Sequence, residues 1–414
     1  MKTRKYYIFT FDTHVIRVAA LMLLASLFFT TCDETAPPNG AWPPPVENDR
    51  DEPVINRLDP PDSIFAGVGD IIIYGDNFSP NIWENLVNIG GTPVKVLSIV
   101  DTILTVETPL LIMDSATVKL TVIGADYYAG YNKPFTLVDV APRVGSFTDF
   151  DDLFGLAVDV DENVYISMAG KLVLRVATNG DTTHYGHTTV EKYDAMKIGP
   201  GGALFGVNIL PYIFQMPAGG GGDALFAIVP GGVDDLDFDQ NGILYAGGSG
   251  NAVYAVKPDG SNRTVASYSD TRLKSLRVFD GYVYIAGNYS GDDSTAVQQG
   301  IWRNAIESAE GDLGLNELVL DWSEYTGAGP ASIQSINFNA GGTLYIGTSS
   351  GNAIVTMDTE GKFEPLYPRA LTPQTFHMCW GNGINLYVNR RGESDRRILK
   401  VNVGKLGAPY YGRQ

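Results

Sequence analysis

The sequence predicts an all-β chain in which a small β-sandwich precedes a closed six-bladed β-propeller. Three observations carry that reading. A pattern typified by Leu236-Asp-Phe-Asp-Gln-Asn-Gly-Ile-Leu-Tyr245 returns six times, from Leu156, Met196, Leu236, Leu276, Ile336 and Met378, at intervals of 40, 40, 40, 60 and 42 residues. Each copy opens with an apolar residue and a second one two positions on, turns through a Gly/Asn/Asp cluster, and re-enters with a hydrophobic–aromatic pair such as Val164-Tyr165 or Leu344-Tyr345. A period near 40 with several short strands per unit marks propeller blades. Ahead of the repeats, runs with period-two alternation are separated by Gly, Pro and Asx turns, as in a sandwich. The composition agrees: 47 Gly and 22 Tyr in 414 residues suit a turn-rich, aromatic-rich β protein.

Charge limits the partners. The formal net charge is −18, and because residues 1–31 carry four cations against one anion, the remainder stands at −21. Such a surface repels phosphate backbones, so nucleic acid is not an expected partner.

At the N-terminus, Lys2, Arg4, Lys5 and Arg17 precede the apolar run Val18–Phe29, closed by Thr30-Thr31-Cys32. A basic segment followed by about a dozen apolar residues is a secretory signal, too short to span a bilayer comfortably. Cys32 resembles the lipobox cysteine of bacterial lipoproteins, although Phe29 and Thr31 depart from the usual residues, and Asp33-Glu34 is similar to the acidic export signals of Bacteroidetes surface lipoproteins. The resemblance implies a signal peptide over 1–31, lipidation of Cys32, and an outer-membrane protein exposed at the cell surface and held to the membrane by its lipid alone. The other cysteine, Cys379, falls in a core strand, so no disulfide with the tether is expected. Residues 32–52 hold Pro37, Pro38, Pro43, Pro44 and Pro45 with little apolar content, the composition of a semi-rigid polyproline spacer.

The sandwich is expected over 53–139, with strands at Ile71–Tyr74, Leu86–Ile89, Val94–Leu97, Leu104–Val106 and Val118–Ile123. Its residues Pro53-Val-Ile55, Pro60, Gly67-Val-Gly69, Ile73-Tyr-Gly-Asp-Asn-Phe78, Gly90-Gly91 and Thr108-Pro109 resemble the IPT/TIG family of immunoglobulin-like domains. That resemblance implies a spacer role. Tyr127, Tyr128 and Tyr131 are expected in core or interdomain packing.

The propeller is expected over 140–414. Third strands read as Leu172–Val176, Leu225–Ile228, Val253–Val256, Ile301–Trp302, Ile354–Met357 and Ile398–Val401, with outer strands at Thr264–Ala266 and Leu318–Leu320. Either Val144–Phe147 or Ala408–Tyr411 supplies the outermost strand of the last blade. The repeats resemble NHL-type six-bladed propellers, which implies cell-surface work near glycan-uptake systems and fixes no reaction.

Several motifs reduce to structure. Asp237-x-Asp239-x-Asn241-Gly242 opens like an EF-hand loop, but Gly248 stands where a bidentate Glu is needed, so it reads as a hairpin turn. Trp380 and Trp302 fall in apolar repeat columns and read as core. Beyond the signal, His184, His187 and His377 are too few for a His₃ zinc site with a base, and read as exposed. No catalytic motif or metal set emerges, and no cofactor motif is complete; calcium is the one ion for which the acidic surface leaves room.

Loop lengths point to a face. Loops joining second to third strands share a face with loops joining successive blades, and the long segments Asn208–Gly222, Asn288–Gly300, Asn389–Asp395, His184–Asp194 and Trp322–Pro330 all map there. That rim offers Tyr212, Phe214, Tyr289, Asp292, Asp293, Trp322, Tyr325, Arg390 and Arg391 as candidate ligand-binding residues. The expected function is binding of an extracellular polysaccharide or oligosaccharide, or assistance to neighbouring outer-membrane uptake proteins. A protein–protein module of an envelope complex is the alternative, and a metal-dependent lactonase or hydrolase propeller the third reading.

Overall fold

The computed structural model describes residues 49–325, 331–392 and 395–410. The signal segment, Cys32 and most of the Pro-rich tether lie outside them.

Alternation builds the N-terminal sandwich. Strand Asp70–Asp76 buries Ile71 and Ile73 completely and leaves Ile72 and Tyr74 partly covered. It pairs with Val54–Asp59 and Ile103–Glu107, with Val96–Val100 at the edge. A second sheet runs Ala129–Gly130, Val118–Val122, Asn85–Ile89, Thr92–Val94, and a third Ser63–Phe65, Phe135–Val138, Met113–Ala116. All three share one core that includes Leu58, Val87, Leu104, Leu120, Phe135 and Leu137. Each fully buried side chain of that kind contributes about 1.5–3 kcal/mol relative to exposure. Tyr131 packs against this core as expected, but Tyr127 and Tyr128 are 67 % and 57 % exposed, since they sit in the loop leading to the last strands rather than on an alternating run.

The propeller has six blades. Their inner strands are Leu153–Val158, Ala195–Ile198, Asp235–Phe238, Thr271–Phe279, Ile333–Phe338 and Thr375–Trp380. Each pairs outward with a second strand through a short turn of the kind the repeat predicts. In the Asp239 turn the carboxylate accepts from the amides of Asn241 and Ile243, both at 2.9 Å, so the EF-hand-like acids cap their own hairpin. Trp380 is buried, as its column implies.

Blade two departs from expectation. Its third strand is Tyr212–Met216, and Ala224–Ile228 is the outer strand. The insertion of this blade therefore falls between third and fourth strands, on the face of the first hairpin turns, where Gly221–Gly222 adds a fifth, parallel strand to blade one. The apolar run Leu225–Ile228 resembles a third strand by composition, but Leu225 and Ile228 are more than half exposed and only Phe226 and Ala227 join the core. His184 and His187 lie on the outer strand of blade one, Thr182–His187, with ring centroids 4.3 Å apart, rather than in a loop.

Ring closure is also decided here. Arg143–Val144 pairs with Arg396–Asn402 and completes blade six. Residues 406–410 cross the hairpin face instead, bridging Asn339 to Gly407, with Ala408 N donating to the Phe338 carbonyl. Gly407 lies flat on Trp380, where any Cβ would collide with the indole. The sandwich leans on blade six: Arg369 donates to the Thr108 carbonyl at 2.8 Å and pairs with Glu107 at 3.0 Å.

Candidate functional site

The inner strands have a free edge toward the channel, and its polar groups need partners. Side chains from adjacent blades supply them. Asp235 accepts from Ser275 Oγ (2.9 Å), the Leu276 amide (2.9 Å) and Arg277 (2.7 Å). Asp237 accepts from the Val278 amide at 2.9 Å, and Ser275 Oγ accepts from the Ile336 amide at 3.1 Å. Arg277 and Asn337 both donate to the Met378 carbonyl, at 3.3 and 3.1 Å, and Asn389 closes the ring by donating to the Phe154 carbonyl at 2.6 Å. Burial alone would raise the Asp235 carboxyl, but Arg277, His377 and Lys197 outweigh it and hold the group ionised. His377 is buried rather than exposed; its Nε2 stands 3.7 Å from Asp235, and desolvation lowers its affinity for a proton. This ring is not legible in the sequence, because partners such as Asp235 and Arg277, or Arg277 and Met378, lie 42 and 101 residues apart and the polar residues that form it alternate with the apolar columns without a shared motif.

On the hairpin face the channel is shut. Tyr410 Oη lies 2.6 and 2.7 Å from the carbonyls of Val158 and Trp380, Cys379 is buried with its thiol 3.6 Å from that hydroxyl, and only about 10 Å³ of space remains beneath. Beside the plug lies a cleft of about 1170 Å³ between blades three, four and five. Its aromatic floor, Phe279 stacked on Phe338 at 4.6 Å with Tyr284 alongside, is consumed in blade packing, since Phe338 and Tyr284 are only 5 % and 8 % exposed.

The opposite mouth is different. One residue upstream of the Asp235 column, the inner strands or their approaches place Phe154, Asp194, Asp234, Lys274, Gln334 and Phe376 in register around the channel. In blades four, five and six the strand carries one extra residue at this point, Lys274, Gln334 or Phe376, unmatched on its partner, and blade one is bulged between Leu153 and Leu156. A β-bulge frees its residue from the ladder and re-aims the side chain. Around the mouth Lys192 pairs with Asp194, Arg272 with Asp234 (3.0 Å) and Arg396 with Asp152. Lys192 also lies 3.9 Å from the Phe154 ring centre, and the Arg391 guanidinium 4.3 Å from Phe154 and 4.9 Å from Phe376.

The predicted rim residues divide. Arg391 belongs to the mouth, on the end of a strand rather than in a loop. Arg390 pairs with Asp395 and lines the cleft against the sandwich. Tyr289 ends the strand Tyr282–Tyr289 opposite Thr271 rather than lying in a loop, while Asp292 and Asp293 are exposed in the loop that follows, where Asp293 accepts from the Thr295 amide and hydroxyl. Trp322 is a correction: it is 5 % exposed, its Nε1 donates to the Ala331 carbonyl at 2.9 Å, and it packs on Tyr325, which in turn touches Phe363. A short 3-10 turn capped by Asp321 folds the indole inward. Phe214 is 4 % exposed because it takes, in blade two, the column of Trp302, while Tyr212 is half-buried beside it. Among the described residues, no three His, Cys, Asp or Glu side chains converge as a metal set.

Residues 53–137 match the IPT/TIG domain family. For the whole chain the likeness is one of fold. An auxiliary nutrient binding protein from Bacteroides thetaiotaomicron is 12 % identical with a TM-score of 0.50, over 86 % of this chain and 98 % of that one. A putative phosphatase from the same organism is 12 % identical with a TM-score of 0.52, over 84 % and 97 %. A luciferin-regenerating enzyme is 14 % identical with a TM-score of 0.51, over 66 % and 98 %. No curated protein matches by sequence. Together these are the immunoglobulin-like sandwich and β-propeller that the repeats predict. No helix among the described residues is long and apolar enough to cross a membrane.

Proposed function

We propose that this chain is a lipid-anchored surface protein that binds an extracellular glycan at the channel mouth on the loop-bearing face. The carrying observation is the register of Phe154, Asp194, Asp234, Lys274, Gln334 and Phe376 around one opening, three of them set by bulges that are otherwise a cost to the ladder. Aromatic rings, carboxylates, an amide and cations held on strands suit a sugar: ring faces stack on pyranose C–H groups while planar polar groups bind hydroxyls in pairs. Strand-borne groups are pre-organised, so less ordering entropy opposes binding. The fold is that of a Bacteroides protein described as an auxiliary nutrient binding protein, which agrees with a nutrient-capture role. Cys32 and the Pro-rich tether supply the anchor and the reach.

The test is calorimetric titration of residues 33–414 with a panel of neutral and acidic polysaccharides, with Phe376→Ala alongside. Binding that weakens at least roughly tenfold in the variant, about 1.4 kcal/mol, is expected. Silence across the panel sinks the reading, and binding unaffected by Phe376→Ala removes the site from the mouth. Lipidation is read separately, as loss of labelled fatty acid and of membrane-fraction recovery in Cys32→Ser.

A further inference from the structure

The mouth is cationic in an acidic protein. Its three ion pairs account for Asp152, Asp194 and Asp234, yet two further cations, Lys274 and Arg391, have no carboxylate within 4.0 Å among the described residues. Both are partly buried. Lys274 stands on the bulge of blade four, next to Arg272, which makes its isolation costlier. Arg391 is held over two aromatic faces, an arrangement that orients a guanidinium without neutralising it. Charges removed from water without a counter-ion are expensive, and burial accordingly weakens proton binding at both groups. In a chain of formal charge −18, two partly buried cations with no carboxylate within 4.0 Å among the described residues, both at one mouth, are a local reversal of sign. Lys274 and Phe376 are the bulge residues at the same level of their inner strands, and Arg391 is held over Phe376, which puts the two cations at one mouth.

We infer that the mouth recognises a carboxylate-bearing glycan, a polyuronate, with Lys274 and Arg391 as the groups that take its carboxylates. This rests on the glycan-binding reading of the same site and adds the ligand's charge. The geometry divides the labour. Arg391 presents a planar fork suited to a bidentate carboxylate, and Lys274 a point charge across the opening. Phe154 is buried under Arg391 and fixes the guanidinium, while Phe376, only partly covered, leaves the apolar surface that a sugar ring bound through its carboxylate would meet. The three existing ion pairs keep neighbouring cations occupied, so selectivity falls to the two that are not.

The experiment measures binding of residues 33–414 to polygalacturonate, polymannuronate and polyglucuronate, and to the carboxyl-reduced form of each, with wild type, Lys274→Gln, Arg391→Gln and Phe376→Ala. Thermal melting confirms that each variant is folded; should Arg391→Gln unfold, Arg391→Lys, which keeps the charge and loses the fork, takes its place. The expected result is binding to at least one polyuronate, weakened tenfold or more by carboxyl reduction, by Lys274→Gln, and by raising salt from 50 to 500 mM. Phe376→Ala would weaken acidic and reduced polymers alike. Equal affinity for acidic and reduced polymers, with Phe376→Ala still weakening both, overturns this inference and leaves the glycan-binding reading standing. Silence toward all six polymers overturns the inference. The glycan-binding reading falls only if the neutral panel is silent too.

Discussion

Asp235 shows how much one side chain can hold. It ties blade three to blade four through a serine hydroxyl, a strand-edge amide and a guanidinium, all in the dry centre of the ring. Removing it leaves the Arg277 charge, 3 % exposed, without its partner. Asp235→Ala is therefore expected to destabilise by about 3–5 kcal/mol in chemical denaturation, the cost of orphaning one member of a buried pair. His377 adds a pH signature. Burial lowers its pKa below the ordinary 6.5, so the unfolded chain binds its proton more readily than the folded one. Stability from this group is complete above pH 6.5 and declines as pH falls below that value toward the lowered one. The Asp235 carboxyl, held far down by Arg277, His377 and Lys197, contributes a second loss that begins only below its ordinary 3.8. His377→Asn should flatten the slope of melting temperature between pH 6.5 and 5 while retaining the fall below pH 4. An unchanged slope in that variant would show that other groups set it. Trp322→Ala belongs to the same scale: it empties a buried aromatic site and is expected to cost about 3–5 kcal/mol in stability, not merely to alter ligand affinity.

At the level of elements, blade six depends on two residues from the other end of the propeller. Without Arg143–Val144 the strand Arg396–Asn402 becomes an unpaired edge. Two chains beginning at 140 and at 146 both lack the sandwich and differ in that strand. The shorter is expected to melt at least roughly 5 °C lower, corresponding to the loss of one or two kcal/mol, or to associate through its open edge. Equal melting would mean that the last blade is stable with three strands. The strand order of blade two was not legible locally. Tyr212–Met216 and Ala224–Ile228 have similar apolar content, and only pairing with Leu204–Val207 on one side selects the first as inner neighbour. The bulges were hidden for a related reason. One added residue leaves the repeat length intact when a neighbouring loop is one shorter, and it shows only as mismatched register.

For the whole molecule, the two faces of the ring have opposite roles. The C-terminal segment seals the hairpin face, while the loop face carries Lys274 and Arg391, which have no carboxylate within 4.0 Å among the described residues. The sandwich meets the propeller through Arg369, Glu107 and Thr108 beside blade six. Arg369→Ala should broaden the distribution of interdomain distances in small-angle scattering while leaving the melting of each domain nearly unchanged, since a half-exposed pair is worth only about 1 kcal/mol or less.

What the amino-acid order determined by itself was whatever repeats or alternates: six blades, their short inner hairpins, the apolar columns that include Trp380, and a sandwich ahead of them. Period-two burial and turn residues are local, so they can be read along the chain. Tertiary structure alone decided which polar residues meet. Asp235 and Arg277 are 42 residues apart, and Arg277 and Met378 101 apart; they touch because the ring brings successive inner strands side by side. It likewise turned Trp322 and Phe214 inward and brought Lys274 and Arg391 to one opening. Those outcomes depend on closure, and closure is a property of all six blades together.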